Sequence, residues 1–129
     1  MVYKQDWMLR KIQLITDMIA HTVFHTSVIK YEVENAAHPT ETDKLYYELD
    51  GLIEQKKIGE AEDLLLDSID TGKRSHLALA LDFYRKINKF EDEDLDLCDF
   101  PRPEIMDGIE TVIEMFGLSE IAEQAVTQA

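Results

Sequence analysis

The sequence predicts an all-α domain, and three observations carry that prediction. Apolar residues recur at steps of three and four along most of the chain, the period of a helix with one face turned inward. Only five glycines and three prolines punctuate the 129 residues, which leaves room for long helices and few turns. Runs of β-branched and aromatic residues in strict alternation are absent, so a sheet has no support. The length suits one modest core, and a hydrophobic fraction of 45% argues against bulk disorder. A single domain over residues 1–129, a bundle or hairpin stack of five or six helices, is the expected architecture.

The first helix is expected from about residue 6 to 27, with Asp6 as N-cap. Met8, Ile12, Ile15, Ile19 and Val23 form its apolar stripe, which Trp7, Leu14 and Met18 widen. Arg10, Gln13, Asp17 and His21 make the polar strip. An apolar face this broad exceeds what one neighbouring helix covers. The helix is therefore expected to lie across the whole domain, or to give Trp7, Leu14 and Met18 to a subunit interface.

Residues 30–43 read as a connector in which Pro39 ends any continuing helix and Thr40 or Thr42 caps the next. A helical hairpin is expected over 41–71. Its first helix, about Glu41 to Lys57, turns Leu45, Leu49, Leu52 and Ile53 inward, and its second, about Gly59 to Ile69, turns Ala61, Leu64 and Leu65 inward. A further helix over 75–89 has Ser75 as cap, with Leu77, Ala80, Leu81, Tyr84 and Ile87 on neighbouring faces. EDEDLDLCDF reads as a solvated acidic turn. The last clear helix, 102–117, opens in the PRPE run, carries Ile105, Ile109, Val112, Ile113 and Phe116, and stops at Gly117. Residues 118–129 read either as a final short helix or as a fraying end.

The net charge of −14 is uneven: residues 1–30 carry +2 and the remainder −16. Such a body repels phosphate, so neither nucleic acid nor an anionic membrane is an expected partner. Cys98 is the only cysteine, which rules out an intramolecular disulfide and suits a reducing interior. Asp96 and Asp99 beside it oppose thiolate formation. Asp6, Arg10, Lys11 and Asp17 interrupt the apolar core an export signal needs, and the uncharged run Met18–Ile29 is too short to span a bilayer. A cytoplasmic protein is expected.

The hairpin resembles a tetratricopeptide unit. Ile58-Gly59-Glu60-Ala61 looks like that family's opening of its second helix, with Leu65 and Ser68 at a large and a small packing position. Leu49 replaces the usual small residue, and Lys73 stands where the terminal proline belongs. The resemblance implies a concave surface that docks another protein, with Tyr46, Asp50 and Tyr84 pointing into it. Tyrosine covers large area with few torsions and is favoured at such surfaces. The opening Asp6-Trp7-Met8-Leu9-Arg10-Lys11-Ile12 also resembles an uncharacterised family of small bacterial helical proteins that start Asp-aromatic-aliphatic-aliphatic-Arg-x-Ile. That resemblance implies a fold and a cytoplasmic setting but no activity.

Three constellations invite a chemical reading. His21 and His25 stand one helical turn apart, as two metal ligands can, but the glutamate of the zinc-protease pattern is Thr22. Asp92, Asp94 and Asp96 copy the start of a calcium loop, yet its glycine is Leu97 and its last ligand is Pro103. Asp63 and Asp67 are one carboxylate pair among 27 acidic residues, with no nucleophile, phosphate loop or cofactor fingerprint beside them. Neither catalysis, a metal nor a cofactor is expected. The expected function is docking of a peptide or protein, with a basic partner suiting the acidic surface. A self-assembling dimer is the alternative, and an acidic mimic of DNA a third.

Overall fold

The structure is a computed structural model that describes residues 6–128. Its elements are α1 (Asp6–Phe24), α2 (Glu41–Glu54), α3 (Ile58–Ser68), α4 (Arg74–Asn88), α5 (Asp92–Leu97), α6 (Arg102–Met115) and α7 (Ser119–Gln128), with no strand among the described residues. The all-α expectation holds, but the described residues form seven helices rather than five or six. The addition is α5, in the segment that reads as an acidic turn. Asp92, Glu93 and Asp94 occupy its first turn, where the partial positive charge of the helix start favours carboxylates. Leu95 is its single buried residue, too little apolar signal to show a period.

The helix ends are set by identifiable groups. Asp6 stands inside α1, paired with Arg10 one turn on (2.9 Å), rather than capping it. α1 stops at Phe24, short of the expected residue 27, because His25 turns into the left-handed region at φ 56. Thr40 caps α2 reciprocally with Asp43: the Asp43 N–H donates to Thr40 Oγ1 (3.1 Å) and the Thr40 N–H to Asp43 Oδ2 (2.9 Å). α2 closes at Glu54 because Lys56 takes φ 65, with Lys57 N–H on Leu52 C=O (2.8 Å) and Lys56 N–H on Ile53 C=O (2.9 Å). α6 closes the same way at Gly117 (φ 70), where glycine carries no steric cost.

α4 is the central element. Ten of its 15 residues are buried, and it packs against α1, α2 and α6. α2 and α3 pair as the expected hairpin, with Ala61 fully buried, while α7 lies on α1 and α6. The first helix packs on α7, α4 and α6, not across the hairpin. The reason lies in α4, whose Leu77, Leu79, Leu81, Phe83, Tyr84 and Ile87 bury apolar side chains on every side. A helix of that kind takes the middle, and α1 is left to cover its far flank. Asn88 Nδ2 on Leu9 C=O (3.2 Å) ties the two helices together.

Candidate functional site

α1, α6 and α7 leave a cleft of about 480 Å³ between them, within the range of ligand-binding pockets. Ile15 of α1, Met106 and Ile113 of α6 and Ala122 of α7 line it with apolar atoms. Lys11, Glu110, Glu114, Ser119 and Glu123 supply its polar lining, one basic residue against three acidic ones. The period of α6 explains the arrangement: Met106, Glu110, Ile113 and Glu114 follow at steps of four, three and one, so they share a side of the helix. Glu110 and Glu114 are an i, i+4 pair of like charge, which is unfavourable, and Glu114 stands in the last turn, where the helix carries partial negative charge. That turn holds no basic residue. A cation arriving from outside relieves both costs.

The residues expected on one concave surface are divided. Tyr46 and Asp50 of α2 meet at Lys86 of α4. Lys86 Nζ donates to Tyr46 Oη (3.2 Å) and Asp50 Oδ1 (2.9 Å), lies 4.4 Å from the Tyr46 ring centroid, and is 3.5 Å from buried Asp82. This contact leaves a void of only about 10 Å³, so the groove beside the hairpin is filled by the protein's own α4. Tyr84 lies behind α4, fully buried, because two positions along a helix turn a side chain to the opposite side. Its Oη donates to Glu62 Oε2 of α3 (2.8 Å). Burial pushes the Tyr84 hydroxyl far above its usual range and also raises Glu62, with Glu104, Asp63 and Asp107 adding to the latter. Trp7 and Leu14 are 55% and 43% exposed, whereas Met18 is half-buried against the core.

Residues 2–117 match a family of unknown function, DUF6483. The chain belongs to that family. Membership in an uncharacterised family is thus met. The DUF6483 match spans α1 to α6 and ends before α7, so the Ser119, Ala122 and Glu123 wall of the cleft lies outside it. No curated protein and no solved structure matches the chain.

One arrangement in this DUF6483 chain looks catalytic and is not built to act so. Buried His76 has Nε2 3.2 Å from Thr42 Oγ1, the distance of an activated hydroxyl. The Asp70 N–H, however, donates to His76 Nδ1 (3.0 Å), which makes that nitrogen the acceptor and leaves the proton on Nε2. The nitrogen facing Thr42 cannot then take its proton. Burial, with Lys73 nearby, lowers the pKa of His76 and keeps the ring neutral.

The other constellations do not converge. His21 is exposed in the last turn of α1 and His25 lies beyond its end. Asp63 and Asp67 are exposed on α3, and Asp92 is bound to Arg102. Among the described residues no three His, Cys, Asp or Glu side chains gather as metal ligands. No helix there is long and apolar enough to cross a membrane. The cleft residues escaped the sequence reading because three helices contribute them; the like-charged Glu110–Glu114 pair near a helix end was the signal available.

Proposed function

We propose that the chain is a non-enzymatic protein–protein interaction module that docks a basic, amphipathic segment of another protein. The cleft between α1, α6 and α7 carries this reading: its apolar floor accepts a hydrophobic side chain, and Glu110 and Glu114 favour a neighbouring lysine or arginine. The tetratricopeptide-like hairpin serves here as a rigid support, since α4 already fills its groove. Binding is favoured over catalysis because the one buried histidine has the wrong tautomer to activate its neighbour. The single thiol of Cys98 suits a cytoplasmic setting.

The test is capture from a lysate by the parent protein and by a Glu110→Lys, Glu114→Lys variant. Both positions are exposed, so folding is preserved. A partner held at low salt by the parent, weakened at moderate salt and lost with the variant is the expected result. Retention of the same partner by the variant, or no capture by the parent at any salt, sinks the reading. Self-association is a second reading, favoured by the exposure of Trp7 and Leu14 on α1.

A further inference from the structure

We infer that two copies of this chain pair through the outer face of α1, antiparallel about a two-fold axis at Leu14. The inference rests on the self-association reading and specifies its geometry.

Trp7, Leu14 and His21 follow at successive heptad steps and form one exposed ridge along α1. Arg10 and Asp17 flank that ridge, also exposed, while Lys11 and Met18 lie half-buried on its other side. The core-facing stripe, Ile12, Ile15 and Ile19, is a separate one, roughly a third of a turn away. Among the described residues α1 therefore has a second face of heptad spacing on which Trp7 and Leu14 stay exposed, with the Lys11 ammonium 6.0 Å from the Trp7 ring centroid.

Charge decides the occupant. Two bodies of net −14 repel at close range, but α1 has Asp6, Arg10, Lys11 and Asp17 and is neutral as a whole. Its first half, with Asp6, Arg10 and Lys11, is net positive, and its second half, with Asp17, is net negative. A parallel pair sets Lys11 of each copy against Arg10 of the other, like charge on like. The antiparallel pair sets Arg10 of each copy, which already holds its own Asp6, near Asp17 of the other, places Trp7 over the facing His21, and brings the two Leu14 side chains together. A two-fold interface of this kind is self-complementary and closes at two copies.

Cross-linking on a Cys98→Ser background tests the geometry. Leu14→Cys sits on the axis and is expected to form an intermolecular disulfide, whereas Trp7→Cys is not, because its two copies lie about 21 Å apart along the pair. Sedimentation over a concentration series reads the assembly, and emission of Trp7, the sole tryptophan, shifts to shorter wavelength as the dimer forms. Leu14→Asp is expected to raise the dissociation constant about a hundredfold, since two buried leucines become two facing carboxylates. A monomer at every concentration overturns the inference together with the self-association reading. A dimer that cross-links at Trp7→Cys, fails to cross-link at Leu14→Cys, or survives Leu14→Asp overturns this geometry alone.

Discussion

Gly108 is the residue on which the α3–α4–α6 contact turns. A Cβ there would overlap Tyr84 Oη and Glu62 Oε2, so the hydrogen bond between those groups exists because α6 offers bare backbone at that point. Gly108→Ala is expected to cost about 1–3 kcal/mol in denaturant unfolding, the range for an added methyl in a packed site. Glu62 gives a pH dependence of definite sign. Its carboxyl is raised above 4.5 by burial first, so the folded protein holds this proton more tightly than the unfolded chain. The stability it contributes is fully present below pH 4.5 and is lost as pH rises through the folded value. Glu62→Gln keeps an oxygen for Tyr84 and removes that loss. The variant should melt above the parent at neutral pH, with the gap closing below pH 4.5; a gap that widens in acid would contradict the assignment.

At the scale of elements, Arg102 joins three of them from a position 2% exposed. Its Nε donates to Asp92 Oδ1 (2.9 Å), Nη1 to Asn88 C=O and Oδ1 (both 2.7 Å), and Nη2 to Phe90 C=O (2.6 Å). The planar guanidinium thus holds the end of α4, the start of α5 and the first residue of α6 at once. A lysine keeps the charge but reaches one of these groups at a time. Arg102→Lys is expected to cost about 3 kcal/mol, near the lower bound for breaking a buried ion pair, and hydrogen exchange should quicken first in α5. The apolar periods that predicted α1, α2, α3, α4 and α6 are legible because each of these helices sets several apolar residues at helical spacing. α5 was not, with Leu95 alone inside.

For the molecule as a whole, a charge of −14 on 129 residues opposes compaction. Screening by added salt should therefore raise the melting temperature, by about 4 °C for each kcal/mol of repulsion removed. A melting temperature independent of salt would mean that ion pairs such as Arg85–Asp82 and Arg102–Asp92 already balance the surface field. The order of packing is also a property of this scale. Tyr84 reads as a recognition residue in the sequence because a tyrosine beside Leu81 and Ile87 gives the same pattern at a groove edge or in a core. Only the position of α6, with Gly108 facing it, makes it core.

The sequence by itself determined the helical class, the hairpin with its buried Ala61, the stop at Gly117 and the acidic surface, because helical period, turn chemistry and charge are local or additive. The tertiary structure alone decided that α4 takes the centre and fills the hairpin groove, and that the cleft opens between α1, α6 and α7. Those are choices among competing apolar faces, and the choice follows from which helix is apolar on all sides and which surfaces remain for the rest to cover.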